Sequence, residues 1–493
     1  MAPEPFRQAN LLQAFIPVVV LIALLGINVY IFGSASLDGS NQLALLLSAA
    51  TAGIIAIRLH VRWEKIIKAI VKSISSAMSS ILILLLIGAL AGTWLISGIV
   101  PAMIYYGLQI LNPTIFLVAA CVVCALVSLA TGSSWSTVAT VGIALLGIGQ
   151  TLGLQEGVVG GAIISGAYFG DKMSPLSDTT NLASAMAGTD LFTHIRYMTY
   201  TTIPSILISL ALYLVIGLYS DASGSVEDVN AVLAAIESKF RISPWLFLVP
   251  LAVILMIIRR IPALPALLVG VLSGGLFAIV FQPHLINQIS GINGDFFKAS
   301  YVGVMKAMYG EVSITTNHSL VNELLTTGGM SGMLNTVWLI LCAMTFGGAM
   351  EAGGLLKRIA AEVIKLAKGT GSLIASTVAT CGFFNITASD QYMSIVVPGR
   401  MYADTYRQRG LKPENLSRAL EDSGTVTSVL VPWNTCGATQ ASVLGVATMV
   451  YAPFSFFNII SPFMTMLVGF MGLKIRYYQS GNETVQSGEV VAE

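Results

Sequence analysis

The chain has 493 residues, of which 55% are hydrophobic and 10% are charged, and its mean hydropathy is +0.81. Soluble proteins carry about 25% charged residues, so this composition excludes a soluble globular protein and predicts one that crosses a lipid bilayer many times. The formal net charge of +1 gives no indication of a nucleic-acid partner, and none is expected.

Apolar runs long enough to span a bilayer, at about 20 residues each, recur along the chain. The first is too long for a signal-peptide core and is expected to remain as a span. Two further segments, 99–112 and 354–368, are expected to lie along the membrane interface. The predicted spans are 11–33, 40–58, 76–98, 197–218, 244–258, 262–282, 332–352 and 453–473.

Basic residues predict which connections are cytoplasmic, because Lys and Arg are enriched on that side. The clusters within 58–72, 357–368 and 400–418 fall on one side when the crossings are counted in order. The acidic loop 219–241 and the long loop 283–330 fall on the other. The count predicts about ten full crossings of the cytoplasmic (inner) membrane, with both termini in the cytoplasm. The histidines are all placed in loops: His60, His194, His284 and His318.

Four segments differ from simple spans. Residues 113–150 and 371–403 are predicted as re-entrant hairpins with polar tips, and 156–193 and 416–450 as helices interrupted by polar clusters. The same order of features recurs after about 250 residues, entering from the opposite side. This predicts an all-α inverted-topology repeat, the architecture of many secondary transporters.

These features divide the chain into five predicted segments. The N-terminal transmembrane helices are followed by a first repeat, linking helices with external loops, a second repeat and a cytoplasmic tail. Their bounds are 1–74, 75–218, 219–331, 332–477 and 478–493.

The most unusual stretch is 170–181, which places charged residues inside an otherwise apolar span. Pro175 lacks an amide hydrogen and should break the helix. Asp171 lies about 22 Å along the helix from Glu156, and therefore within the bilayer. A charge there costs about 3 kcal/mol on insertion scales, which favours an ion pathway, a proton relay or substrate pairing. A purely structural ion pair with Lys172 or another basic residue is the alternative. Lys172 is expected to tether Asp178 or to act as a switching counter-charge.

The breaks and hairpin tips supply the oxygen atoms that small hard cations prefer. In contrast, the chain has no HExxH, GxSxG or His and Asp pair at depth, so an enzyme is not expected. Cys121 and Cys124 lie inside an apolar run and are interpreted as packing residues. The candidate ion or substrate ligands are Thr131, Ser133, Ser134, Asp171, Ser174, Ser177, Asp178, Asn385, Thr387, Asp390, Asp422, Thr425, Asn434 and Thr435.

The two polar clusters resemble a known family. Residues 170–191 are similar to the hallmark stretch of the NhaC family of sodium/proton antiporters, and 421–437 to its second hallmark. The resemblance extends from about residue 10 to 475. It implies scaffold and transport domains, with 1–74 in the scaffold, and a homodimer. The family also includes exchangers of small carboxylates such as malate and lactate, and some amino-acid carriers, so an organic substrate stays open.

The resemblance implies an exchange of sodium for protons that needs no cofactor. Asp171 and Asp422, which occupy matching positions in the two repeats, are expected to bind sodium and protons in competition. Asp178 is expected to share in proton coupling, and the hydroxyl and amide groups to complete the ion's shell.

Overall fold

The computed structural model describes residues 8–32, 36, 39–110, 112–220, 226–365 and 367–478. Almost all regular structure in these ranges is helical. The predicted tail, 478–493, lies outside the described residues apart from Tyr478.

The N-terminal region is a group of apolar and amphipathic helices. The predicted runs at 11–33, 40–58 and 76–98 are helical as expected, and the connection after the second run contains a further helix. That helix was missed because its lysines dominate the sequence, although Ile66 on its other face is buried. The helices are α1 (Leu11–Phe32), α2 (Ser40–Arg58), α3 (Trp63–Ser76), α4 (Met78–Ile96) and α5 (Ile99–Ile110).

The next region contains the first polar hairpin and the first broken helix, where the sequence predicts them. Gly132 ends the first arm of the hairpin in the left-handed conformation, with φ of 70°. Ser133 then caps the short helix at the tip by accepting the amide hydrogen of Ser136 at 3.2 Å. The helices are α6 (Pro113–Thr131), α7 (Ser134–Thr137), α8 (Ile143–Thr151) after a π-helical turn at Val138–Gly142, α9 (Glu156–Met173), α10 (Asp178–Ala187) and α11 (Leu191–Tyr219).

Helix α9 lies unusually close to α6, because its glycines carry no side chains. A Cβ atom on Gly166 would lie 2.0 Å from the carbonyl oxygen of Cys121, and one on Gly170 would lie 2.3 Å from that of Ala125. Small residues allow this approach between membrane helices. The contact brings the end of α9 next to the tip of the first hairpin.

The central region is more helical than the sequence predicts. The loops expected at 219–241 and 283–330 contain helices and a small antiparallel hairpin in which Val312 pairs with Thr327. Helix α16 was missed because its buried face consists largely of small residues, including Ala299, Gly303 and Ala307, rather than an apolar stripe. Ala307 lies against Gly92 of α4, and Gly303 lies against Ile286 of α15. The elements are α12 (Val226–Lys239), α13 (Leu248–Ile258), α14 (Ala263–Phe281), α15 (Pro283–Ser290), α16 (Phe296–Tyr309), β1 (Val312–Ser313), α17 (Ser319–Leu324), β2 (Thr326–Thr327) and α18 (Gly329–Gly332).

The C-terminal region repeats the order of the first: a span, a polar helical hairpin, a broken helix and a final span. The broken helix passes through a π-helical turn at Glu421–Thr425 and a 3-10 turn at Ser428–Leu430. The two-fold relation between the halves, and the side from which each hairpin enters, stay predictions. The helices are α19 (Leu334–Ala352), α20 (Leu355–Lys365), α21 (Thr370–Thr387), α22 (Gln391–Gln408), α23 (Pro413–Leu420), α24 (Thr435–Leu444), α25 (Thr448–Tyr451) and α26 (Phe456–Phe470).

Long apolar helices in this fold are numerous enough for a polytopic membrane protein. Seven helices among the described residues are long and apolar enough to cross a bilayer, or up to nine if each of two bent pairs is one span. Large apolar side chains on α1, α11 and α14 are exposed, as expected for surfaces that contact lipid. The predicted ten crossings, the cytoplasmic termini and the interfacial placement of α5 and α20 stay predictions.

The close contact between α6 and α9 predicts a difference between two glycine substitutions. Gly166→Ala should lower the free energy of unfolding by about 1–3 kcal/mol, because the new methyl group forces the helices apart. Gly53→Ala in α2 is the matched control, since no atom lies within 4 Å of its Cβ position. Thermal unfolding in detergent should place Gly166→Ala well below the wild type and Gly53→Ala at or slightly above it. Equal midpoints for the two variants would contradict the close approach.

Candidate functional site

The first break separates α9 from α10 at residues 174–177. The freed backbone groups find partners within the protein. The Thr180 hydroxyl donates to the carbonyl oxygen of Lys172 at 3.0 Å, and the Asn181 amide donates to that of Pro175 at 3.0 Å. Ser177 caps α10 by accepting the amide hydrogen of Thr180 at 3.5 Å. The break expected at Pro175 is therefore present.

Asp171 connects this break to the first hairpin. Its Oδ2 atom accepts both the backbone N–H of Ser134, at 3.1 Å, and the Ser134 hydroxyl, at 2.7 Å. The Asp171 side chain is 7% exposed, and the exposed part borders a cavity. The structure thus brings together a hairpin tip and a helix break that are 37 residues apart in the chain.

The cavity has a volume of about 700 Å³ and is lined by both halves of the chain. Its rim is formed by the beginning of α4, the beginning of α11 and the α13–α14 connection. These rim segments adjoin the connections that the basic residues predict as cytoplasmic. Arg260, from the α13–α14 connection, also lines the cavity. The polar residues of its wall also include Thr131, Ser133, Asp171, Ser177, Asp178, Thr179, Gln391 and Thr435.

The second break is joined to the second hairpin in a similar way. The Asn385 side-chain amide donates to the carbonyl oxygen of Gly424 at 2.8 Å and to the Thr427 hydroxyl at 2.9 Å. Its carbonyl oxygen accepts from the Asn434 amide at 3.1 Å. Asn434 also caps α24, accepting from the amide of Cys436 at 3.0 Å. The Thr425 hydroxyl in the π turn is buried and has no hydrogen-bond partner in the described part of the chain.

A buried ion pair joins the two breaks. Lys172 pairs with Asp422, and both side chains are completely buried. The ammonium group also donates to the Ser461 hydroxyl at 3.0 Å, and the second carboxylate oxygen of Asp422 accepts from the Thr201 hydroxyl at 2.7 Å. The predicted tether between Lys172 and Asp178 is therefore wrong in this conformation, since Asp178 instead faces the cavity. Asp171 makes no ion pair with any basic group of the described residues.

Three predicted ligands are buried and make local bonds instead of lining the cavity. Asp390 caps α22 by accepting the amide hydrogen of Met393 at 2.9 Å. The Thr387 hydroxyl donates to the carbonyl oxygen of Phe383 at 2.7 Å. Ser174 accepts the amide hydrogen of Leu176 at 3.2 Å and supports the turn. Their roles as ion ligands stay predictions.

Sequence reasoning missed two groups that the fold brings to this region. Glu421 is completely buried beside the ion pair, and its sequence signal was the presence of two adjacent acids in a predicted span. His194 was expected in a loop but lies buried in α11, where its Nδ1 atom is 2.7 Å from the Ser417 hydroxyl. It was misplaced because α11 begins at Leu191, before the apolar run that marks the span.

The bundle of apolar helices contains two broken helices, two polar hairpins and a polar internal cavity. Together these features define a polytopic membrane transporter. The sequence profile of the Na⁺/H⁺ antiporter family matches residues 166–473. The chain is 35% identical over 439 residues to the Na⁺/H⁺ antiporter NhaC of Alkalihalophilus pseudofirmus, covering 89% of this chain and 92% of that protein. The chain belongs to the NhaC family of Na⁺/H⁺ antiporters, as the two hallmark stretches indicated.

Other relatives have different names. The chain is 35% identical over 452 residues to the malate-2H⁺/Na⁺-lactate antiporter of Bacillus subtilis, covering 92% of this chain and 93% of that protein. It is 34% identical over 494 residues to the arginine/ornithine antiporter ArcD of Halobacterium salinarum, covering 99% and 98%. Among solved structures, MtrF of Neisseria gonorrhoeae aligns with 94% of this chain and 96% of that chain at 14% identity and a TM-score of 0.36, too low to support an argument.

Family membership answers several broad questions. The protein is a multi-pass membrane transporter rather than an enzyme. Na⁺/H⁺ antiporters need no cofactor, and sodium ions and protons are the species they transport.

The ion pair between the breaks predicts strong coupling between its two members. Lys172→Met should lower the free energy of unfolding by about 3–5 kcal/mol, because it leaves Asp422 buried without its partner. The double variant Lys172→Met with Asp422→Asn removes both charges. Thermal or denaturant unfolding in detergent should therefore show it to be less destabilised than the sum of the single variants. Additive effects would mean that the two side chains do not interact in the folded protein.

Proposed function

We propose that this protein exchanges sodium ions for protons across the cytoplasmic membrane by alternating access, with Asp171 as the coupling carboxylate. The observation that carries the proposal is the position of Asp171. It lies at a helix break, is fixed by the first hairpin through Ser134, and faces a cavity that both halves line.

Competition at Asp171 follows from electrostatics. A bare carboxylate at membrane depth is costly, so it favours a bound proton or a bound cation. A proton on the carboxylate removes the negative charge that attracts sodium, and bound sodium disfavours the proton. Exchange of one for the other therefore needs no further chemistry. Thr131, Ser133 and Ser177 line the same cavity, and their hydroxyl groups would complete the sodium shell.

Asp422 has a different role in this conformation. The Lys172 ammonium group occupies the position of a cation against it, so sodium binding at Asp422 would require Lys172 to move away. We assign Lys172 as the switching counter-charge. The remaining predicted ligands would act along the pathway when the second break opens: Ser174, Asp178, Asn385, Thr387, Asp390, Thr425, Asn434 and Thr435.

The rim of the cavity supports an inward-facing conformation, since it adjoins the connections predicted as cytoplasmic. In this proposal the two inverted repeats exchange conformations, so that the site opens to the other side of the membrane. The N-terminal helices would form part of a fixed scaffold, and the protein would act as a homodimer.

Replacing the coupling carboxylate tests the proposal directly. Asp171→Asn should reduce sodium-dependent pH change in reconstituted vesicles to the level of protein-free vesicles, because an amide binds neither a proton nor sodium as a carboxylate does. Asp190→Asn is the control. Asp190 is exposed and caps α11, and asparagine caps helices equally well. Wild-type exchange with an unchanged pH profile in Asp171→Asn would exclude it as the coupling group.

A second candidate function is coupled exchange of a small organic anion or an amino acid. The cavity volume, about 700 Å³, lies within the range of about 300–1,000 Å³ that is typical of small-molecule sites. Arg260 supplies a positive charge on its wall, and guanidinium groups bind carboxylates well. This combination is more than a bare sodium ion requires.

Substrate addition separates the two candidates. Vesicles with an internal pH dye are given sodium alone, and then sodium with malate, lactate or arginine. A response to sodium alone supports the antiporter, whereas a response only after an organic solute is added supports the carrier. For a carboxylate substrate, Arg260→Gln should weaken the stimulation and leave the response to sodium unchanged. Arg259→Gln is the control, since the neighbouring Arg259 does not line the cavity. Equal effects of the two variants would exclude a specific role for Arg260.

A further inference from the structure

A second cavity, of about 300 Å³, lies between the beginning of α19 and helix α24. Asn335 and Thr336 line it from α19, and Ala441 and Ser442 line it from α24. We call it the outer cavity. No charged side chain of the described residues lines it. The exchange at Asp171, as proposed above, gives this cavity no role.

The outer cavity adjoins connections that the topology predicts as external. Helix α19 follows the loop at 283–330, which the basic residues place on the external side. Helix α24 ends at Leu444, at the opposite end of its broken span from the predicted cytoplasmic cluster within 400–418. The cavity beside Asp171 has its rim on predicted cytoplasmic connections. In the predicted topology, the two cavities therefore lie toward opposite sides of the membrane.

One short segment at the second break borders both cavities. Thr435 lines the cavity beside Asp171. Pro432 and Ala438, which precede and follow it in the chain, line the outer cavity. The segment 432–438 thus has a cavity on each side, and it comprises the turn before α24 and the first turn of that helix. A displacement of this segment toward the cavity beside Asp171 would narrow that cavity and widen the outer one.

Helix α24 also carries polar groups that its present position leaves unsatisfied. Gln440 is completely buried, yet neither its Oε1 nor its Nε2 atom has a hydrogen-bond partner among the described residues. The hydroxyl of the neighbouring Thr439 is buried and has no partner in the same part of the chain. An unpaired buried donor or acceptor costs the desolvation of that group, and such groups are one way in which a protein stores strain. A displacement of α24 that gave these groups partners would recover that free energy.

The outer face of α24 is packed loosely enough to move. The residues that α24 and its end present to the outer cavity are small, namely Ala438, Ala441, Ser442 and Gly445. The Ser442 hydroxyl makes one hydrogen bond across to this region, to the sulfur atom of Met333 at 3.2 Å. Breaking this contact costs less than breaking an interlocked apolar interface, because a hydroxyl can bond to water instead.

We infer that the outer cavity is the external entrance to the transport site, narrow in this conformation, and that the segment 432–438 is the movable partition between it and the cavity beside Asp171. The inference rests on the proposed exchange by alternating access, and it adds the external route and the element that moves. With no charged side chain among the described residues that line it, this entrance would not select between anions and cations. The choice of ion would remain with Asp171.

The first test is the reactivity of Ser442→Cys with a membrane-impermeant thiol reagent, in right-side-out and inverted membrane vesicles. All five native cysteines are buried, and the wild type gives the background. The variant should react from the external side. Its rate should change by about threefold or more when sodium is added, because an ion that binds one orientation better shifts the population. Ser331→Cys is the matched control, since Ser331 is exposed beside the outer cavity but does not line it, and its rate should not respond to sodium.

The second test uses the same variant after labelling, so that it does not depend on the folding of a bulky substitution. A large thiol reagent on Ser442→Cys fills the outer cavity of the folded protein. It should reduce sodium-dependent proton movement in vesicles to the level of protein-free vesicles. Sodium binding from the cytoplasmic side should stay within about twofold of the unlabelled variant, a difference of about 0.4 kcal/mol. Labelled Ser331→Cys should keep its exchange.

The outcomes separate this inference from the proposed exchange. If the wild type moves no protons in response to sodium, the proposed exchange fails. The labelling is then measured with the solute that does drive transport, and a rate that responds to that solute supports the external entrance. In an active protein, three results would overturn the inference: reaction of Ser442→Cys from the cytoplasmic side or from neither side, a rate that is indifferent to sodium, or full exchange after labelling.

Discussion

The structure depends on one buried interaction, the ion pair between Lys172 and Asp422. It joins the end of α9 to the π turn after α23, and so connects the broken helices of the two halves. A pair of this kind, completely buried, is held in place by the cost of separating its members. Thr201 and Ser461 bring α11 and α26 to the same point. Four elements of the membrane bundle therefore meet at a single pair of charges.

This pair makes the two halves unequal. The sequence predicts that Asp171 and Asp422 occupy matching places in two repeats, yet one faces a cavity and the other is paired with an ammonium group. The hairpins show the same division. Ser134 at the tip of the first hairpin donates a hydrogen bond to Asp171, the acid that borders the cavity. Asn385 of the second hairpin instead donates to the backbone carbonyl of Gly424 in the second break.

Much of this architecture could be predicted from residue patterns. The apolar runs, the break at Pro175 and the two polar hairpins are all present, because hydrocarbon demands internal partners for every polar backbone group. The missed helices have a common reason. Helix α3 is rich in lysine, and α16 packs through small residues, so neither has the apolar run by which spans were recognised. Glu421 was not predicted as a site residue for a different reason: the repeat comparison matched Asp171 with its neighbour Asp422.

The sequence by itself determined the class of protein, the family, the positions of both helix breaks and the presence of acids within otherwise apolar segments. Each follows from local composition, or from a stretch of adjacent residues. Only the tertiary structure decided which acid is paired with Lys172 and which faces the cavity, because those facts depend on contacts between residues 37 and 250 positions apart in the chain. Sequence position alone allows Lys172 to pair with any of several carboxylates. The close approach of α9 to α6 at Gly166 and Gly170 positions Asp171 beside Ser134, and in the same fold Lys172 meets Asp422 rather than Asp178.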